Sequence, residues 1–228
     1  MSHLIADFLN LLYPNLCIIC GENLMKHENQ ICLACLNNMP RTNYHLIKDN
    51  PVEKRFWGKV PVFKATSYFF FTKGSPYQKL LHELKYKGNK EVGTVIAQHA
   101  ASELLENNFF SGIDFIIPVP LHPKKYVSRG YNQSECIGLG LSKILEKPQF
   151  TQLLIRVKEN TTQTKKSVYD RYVNTAGIFE LTDKDALAGK HILIVDDVLT
   201  TGSTLEAAIQ TLQEADNVII SVFTLAMA

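Results

Sequence analysis

The chain of 228 residues has no apolar run of the ~18–20 residues that a membrane-spanning helix needs. Its opening stretch, Met1 to Pro14, is apolar but short and is interrupted by Asp7. It has neither a basic leader nor a small-residue cleavage site, so it does not read as a signal peptide. A cytoplasmic protein is expected, and thiols in that compartment stay reduced, which argues against disulfides. Two nucleotide signatures are also missing. Without Gly-x4-Gly-Lys-Ser/Thr there is no ordinary ATPase phosphate loop, and without Gly-x-Gly-x2-Gly a dinucleotide site is not expected. No internal repeat or low-complexity segment occurs. The net charge is only +2, so overall charge excludes nothing about partners.

What is present is an ordinary core composition, 46% apolar and 20% charged residues. The length accommodates one full domain plus a small module. Charge is unevenly spread. From Leu121 to Thr175 there are 10 Lys and Arg against 4 Asp and Glu, and from Ala176 onward 2 against 8. The basic middle is where phosphate contacts are to be sought, although two solvated faces would show the same pattern.

Four of the five cysteines form two pairs, Cys17-x2-Cys20 and Cys32-x2-Cys35, with eleven residues between them. Each Cys-x2-Cys turn aims two thiolates at one point, and two turns complete a tetrahedron around Zn2+. All four positions would be protein, so such a site supplies folding energy rather than catalysis. A redox pair or an iron–sulfur cluster is the alternative. Cys136 stands alone in a helical pattern and reads as a small buried hydrophobe. Leu4 to Leu12 has helical apolar spacing and is expected to pack on the module or the main domain.

Pro40 to Pro61 mixes charges with Asn and Pro and reads as a connector. Phe63 to Thr72 reads as a strand, in which Phe69, Phe70 and Phe71 are either core or a base-stacking platform. Helices are expected over Ser75–Tyr86 and Glu91–Glu106, and from Gln133 to about Leu145. Short strands are expected over Asp114–Pro120, Gln152–Val157, Gly177–Leu181 and Val218–Leu225. Alternating strands and helices imply a mostly parallel sheet with helices on its faces.

The most informative stretch is Ile192 to Leu212. His191 to Val195 is a continuous apolar, β-branched run and predicts a buried strand that stops at Asp196-Asp197. Open α/β sheets bind ligands at the carboxyl ends of strands, and two adjacent carboxylates there are costly unless something uses them. Vicinal ribose hydroxyls are natural donors to such a pair. Thr200-Thr201-Gly202-Ser203-Thr204 follows. Gly202 permits a tight turn, four hydroxyls flank it, and a helix beginning near Ser203 adds free N–H groups and a positive dipole end. That set makes a cradle for one phosphate dianion. Ordinary helix capping needs only one of those hydroxyls.

Val195-Asp196-Asp197-Val198-Leu199-Thr200-Thr201-Gly202-Ser203-Thr204 resembles the phosphoribosyl pyrophosphate (PRPP) motif of type I phosphoribosyltransferases. Pro118-Val-Pro-Leu-His122 with Arg129-Gly-Tyr-Asn-Gln133 narrows this to a resemblance to the ComF family of late-competence proteins. So do Gln163 with Arg171-x2-Asn174-x2-Gly177-x-Phe179, Leu84-Lys-Tyr-Lys-Gly88, and the cysteine pairs. Tyr131 stands where that family often has Phe. The resemblance covers nearly the whole chain. It implies a type I phosphoribosyltransferase-like α/β fold over residues 61–228, preceded by a zinc-finger module and connector over 1–60. It implies that Asp196 and Asp197 hold the ribose at the catalytic position, with Val198, Leu199, Thr200, Thr201, Gly202, Ser203 and Thr204 completing the PRPP site. It also implies a pyrophosphate loop from Leu121 to Arg129 and a mobile lid over Lys158–Arg171.

Candidate pyrophosphate residues are Leu121, His122, Lys124, Lys125 and Arg129, with Lys85 and Lys87 as further cations. Mg2+ is expected with the phosphoribosyl ligand. Three functions follow as expectations. The first in rank is a ComF-like competence protein that binds PRPP and handles single-stranded DNA during natural transformation, alongside other competence proteins. Lys124, Lys125, Arg129, Tyr126 and Tyr131 are the candidate DNA contacts. The second is a phosphoribosyltransferase of unknown acceptor; Asn217 to Ala228 offers no clear base reader. The third is a ligand-binding regulator without catalysis.

Overall fold

The computed structural model describes residues 14–157 and 177–228. The helix expected over Leu4–Leu12 and the lid expected over Lys158–Arg171 lie outside the described residues. Among the described residues no helix is long and apolar enough to cross a membrane.

The centre is a four-stranded, all-parallel sheet in the order β1-β6-β5-β2. Its strands are β1 (Lys64–Phe70), β2 (Phe115–Pro118), β5 (His191–Leu199) and β6 (Ile219–Met227). Two short strands, β3 (Leu154–Arg156) and β4 (Phe179–Leu181), pair antiparallel as a separate ribbon. Ile192, Leu193, Ile194 and Val195 are fully buried, as a strand covered on both faces requires.

Helices cover both faces: α3 (Gln78–Tyr86), α4 (Lys90–Leu105), α6 (Gln133–Leu145) and α7 (Ser203–Leu212). Helix α4 buries Val92, Ile96, Ala100 and Leu104, an i, i+4 row that turns one stripe inward. Helices α4 and α6 approach very closely at Gly140. A Cβ there would lie 2.4 Å from the Thr94 carbonyl oxygen and 2.7 Å from the Ala97 Cβ, so only glycine fits. Cys136 on α6 is buried, and burial pushes its thiol up to about 11, in keeping with an inert packing residue.

The cysteine module carries one short helix, α1 (Leu33–Asn37), and is fused to the main core. Cys17, Ile19, Ile31, Leu36 and Met39 belong to the same buried cluster as Tyr68, Leu80 and Phe223. Lys79 donates to the Ile19 carbonyl (2.8 Å), and the Tyr77 hydroxyl donates to that of Cys35 (3.0 Å).

The stretch from Pro40 to Pro61 contains a packed segment. Helix α2 (Pro51–Lys54) starts with a complete capping box between Asn50 and Glu53. Val52, Phe56 and Val60, four residues apart, are 0%, 1% and 6% exposed and share a cluster with Leu199 and Leu205. The three phenylalanines at 69–71 are core first: Phe69 is fully buried, Phe71 packs on the core, and only Phe70 at the sheet edge is exposed.

Candidate functional site

Strand β5 does not stop at Val195. It runs on to Leu199 because β6 continues alongside, with Asp196 opposite Thr224, Val198 opposite Ala226 and Leu199 opposite Met227. The carboxylates broke the apolar pattern but not the ladder. On its opposite edge β5 loses its partner at this point. Strand β2 ends with Pro118 facing Val195, and the last bond on that side is from the Val119 N–H to the Val195 carbonyl (2.8 Å). The Asp pair thus sits where one edge of the strand opens.

A small polar cleft of about 50 Å³ lies at the end of β5. It is lined by Asp196, Val198, Leu199, Thr200, Thr201, Gly202, Ser203, Thr204 and Leu205. Gly202 is left-handed (φ +83°) and occupies the N-cap of α7, where it brings no side-chain acceptor. The hydroxyls of Thr201 and Ser203 contact each other at 2.9 Å, and the Ser203 N–H donates to the Thr201 hydroxyl at 3.4 Å. A helix start with glycine at its cap, ringed by hydroxyls, is suited to an oxyanion.

The two carboxylates are wired differently. The Ser134 hydroxyl, at the start of α6, donates to Asp196 Oδ1 (2.9 Å), as does the Asp197 N–H (2.9 Å). Burial and then the Asp197 carboxylate push Asp196 up to about 7, against the lowering effect of those hydrogen bonds and of Lys85. Asp197 pairs with Lys85 Nζ from the last turn of α3 at 3.0 Å. Arg156 on β3 is a further cation in this neighbourhood. Burial lowers its pKa and the Asp196 carboxylate opposes that shift. Ser134 and Arg156 were not among the residues expected from sequence. Each lies far along the chain from the motif it serves, and neither carries a local signal.

Residues expected as a pyrophosphate loop instead form helix α5 (Pro123–Arg129). Pro123 at its first position and His122, whose Nδ1 accepts the Lys124 N–H (3.2 Å), start it; left-handed Gly130 ends it. Lys124, Lys125 and Tyr126 are exposed on α5, and Leu121 and His122 are half-buried at its start. Arg129 donates to Gln133 Oε1 (2.6 Å) and lies 5.7 Å from the centre of the Tyr86 ring. Lys87 is exposed just past the end of α3.

Tyr131 cannot stack on a base: it is 5% exposed, and its hydroxyl donates to the Leu84 carbonyl. The exposed rings here are Tyr86, at 68%, and Tyr126, at 45%. Asn132 caps α6 through the Ser134 N–H (3.1 Å) and donates to the Val119 carbonyl (2.9 Å). The Arg129–Gln133 motif thus ties α3, β2 and α6 together, which is what delivers Ser134 and Lys85 to the Asp pair.

In the cysteine module the four Sγ atoms of Cys17, Cys20, Cys32 and Cys35 lie within 4.8 Å of one another. Zinc–sulfur bonds of about 2.3 Å place tetrahedral sulfurs about 3.8 Å apart. Cys20 Sγ and Cys32 Sγ are 3.8 Å apart. Burial raises the Cys17 thiol, but N–H groups of Cys20, Cys32 and Ile19 more than offset it and bring it down to about 7. The donor set and its spacing fit a tetrahedral Zn2+.

A family model described as "Phosphoribosyl transferase domain" matches residues 139–227. Competence protein F of Haemophilus influenzae is 38% identical over 232 residues, covering 93% of this chain and 96% of that protein. The chain belongs to the ComF family of competence proteins. Another similar member is competence protein ComFC of Bacillus subtilis, 27% identical over 95% of this chain and 87% of that one. The DNA utilization protein YhgH of Escherichia coli K12 is 27% identical over 86% of this chain and 83% of its own length. Among solved structures, the glutamine PRPP amidotransferase of B. subtilis aligns with a TM-score of 0.43 at 15% identity, over 64% of this chain and 30% of that one. The purine phosphoribosyltransferase of Pyrococcus horikoshii aligns at 0.38 and 23%, over 59% and 73%. Family membership supports a general competence- and phosphoribosyltransferase-related role.

Proposed function

We propose that the cleft at the end of β5 binds PRPP with Mg2+, and that the protein uses this site in handling single-stranded DNA during natural transformation. The observation that carries the reading is one polar cleft that joins Asp196 to a hydroxyl-rich helix start with glycine at its cap, while the adjacent Asp197 is held by Lys85. Asp196 and Asp197 accept the ribose hydroxyls. Thr200, Thr201, Gly202, Ser203 and Thr204 hold the 5-phosphate, with Val198 and Leu199 shaping the wall. Lys85, Lys87, Lys124, Lys125 and Arg129, with Leu121 and His122, form the pyrophosphate side. Carboxylate oxygens at the ribose suit a hard cation, and bound Mg2+ would offset charge on the pyrophosphate. Zn2+ on the four cysteines is a structural element of the same protein.

Equilibrium dialysis tests the reading. Saturable retention of PRPP in the presence of Mg2+ is expected. Ribose 5-phosphate, which shares the groups that the carboxylates and the loop hold, should compete better than pyrophosphate alone. Absence of retention by folded protein would overturn it.

Asp196 supports a second reading, a phosphoribosyltransferase of unknown acceptor. A carboxyl held near pH 7 can change protonation during turnover. The acceptor would attack the anomeric carbon as its bond to pyrophosphate breaks. Pyrophosphate release dependent on an added nucleobase or oligonucleotide would support this. PRPP binding with no release for any acceptor would leave a ligand-controlled regulator.

A further inference from the structure

We infer that Lys54, Arg55 and Trp57 form a contact site for single-stranded nucleic acid beside the phosphate loop. The inference rests on the DNA-handling reading above and assigns a place to it. The segment from Pro51 to Val60 has two faces. Its inner row, Val52, Phe56 and Val60, is buried and fixes the backbone. Its outer face carries Trp57, an indole left 56% exposed next to a phenylalanine that is 1% exposed. An exposed indole on a rigid backbone is a stacking platform, because every base offers a π-face.

Cations stand on both sides of that ring in sequence. Lys54 Nζ lies 5.6 Å from the Trp57 ring centre, within cation–π range. Arg55 is exposed, and its Cβ is 3.8 Å from where a Gly202 side chain would begin, so Arg55 borders the phosphate loop itself. Glu53, the acid within the segment, is turned inward. Its carboxylate accepts the N–H groups of Asn50 (3.2 Å) and Ala65 (3.4 Å). Lys59 is engaged with Glu206 Oε2 at 3.1 Å and pins the segment to α7. Lys54 and Arg55, with no acidic partner among the described residues, and one exposed indole match the combination that single strands require, cations for the backbone and an aromatic face for a base.

Trp57 is the one tryptophan in the chain, so its emission reports this site directly. Full-length, zinc-loaded protein is titrated with a fluorescein-labelled oligothymidylate of about 20 nucleotides, long enough to span one binding face. Unlabelled oligonucleotide is used for the emission channel. Saturable quenching of Trp57 is expected, together with a rise in anisotropy that weakens as salt increases. Trp57→Ala should lose about tenfold in affinity while Trp57→Phe retains most of it. Trp57→Ala should still bind PRPP normally, which shows that the variant is folded. Lys54→Gln should weaken oligonucleotide binding and flatten the salt dependence. If the oligonucleotide binds with unchanged Trp57 emission and Trp57→Ala binds as well as wild type, the site is elsewhere: this inference fails and the DNA-handling reading stands. If no oligonucleotide binds at all, the DNA-handling reading fails and takes the inference with it. Equal affinity for duplex would also overturn the stacking site.

Discussion

Two centres in this protein are built from opposite materials. At the cysteine module four side chains converge within 4.8 Å, and the donor set closes on itself. At the end of β5 one carboxylate of the Asp pair and a loop of hydroxyls face an open cleft, and donors to an anion come from those hydroxyls and from the N–H groups at the start of α7. The first arrangement has every position taken and can only hold the chain together. The second keeps groups in reserve, and burial beside the Asp197 carboxylate pushes Asp196 up to about 7. On the proposed reading one is a stability device and the other a ligand device, although each is made of a few residues at a turn.

The comparison breaks most sharply at Cys17. Cys17→Ser removes one ligand and part of a cluster that is continuous with the main core, so a loss of at least about 3 kcal/mol is expected. Metal analysis should show less than one zinc per chain, and chemical denaturation should show the lowered midpoint. PRPP affinity of the remaining folded fraction should change little. A variant as stable as wild type and free of zinc would contradict the structural-metal account.

A comparable effect separates the centres by pH. The folded pKa of Asp196 is raised to about 7, above its unfolded value. Its contribution is therefore full below about pH 4 and is lost as pH rises through 7. Asp196→Asn abolishes that dependence. Between pH 4 and pH 8 the variant should gain on wild type by about 4 kcal/mol, read from paired urea titrations. Parallel curves would mean that the carboxyl is not held in its neutral form. The smallest expected effect lies in the tie that positions the site. Tyr131→Phe removes the hydroxyl that donates to the Leu84 carbonyl and should cost about 1 kcal/mol of stability. Calorimetric unfolding reads that loss, and an unchanged transition would show that the bond contributes nothing net.

Both centres were legible in the sequence for the same reason: their parts are adjacent in the chain. Cys-x2-Cys pairs and a strand–loop–helix motif are local patterns, and local patterns survive without knowledge of tertiary contacts. The sheet and its main helices were legible through apolar periodicity. What escaped was non-local. Ser134 lies 62 residues from Asp196, and nothing around it marks it as a ligand of that carboxylate. The ion pair of Lys85 with Asp197 spans most of the domain in sequence and was equally unmarked. The row Val52, Phe56 and Val60 was hidden by the charged residues between its members. The extension of β5 past Val195 was hidden by two aspartates, because ladder pairing with β6 depends on the backbone and not on side-chain polarity. The helix over Pro123–Arg129 was masked by its own composition, which carries cations and a proline but no apolar stripe.

The central claim is that the β5 cleft is a phosphoribosyl site, and isothermal titration of PRPP with Mg2+ tests it most directly. Wild-type protein is compared with the Asp196→Asn/Asp197→Asn double variant, both zinc-loaded and folded. The account predicts saturable one-site binding to wild type and its loss in the variant. Binding of equal strength to both, or to neither, would contradict it.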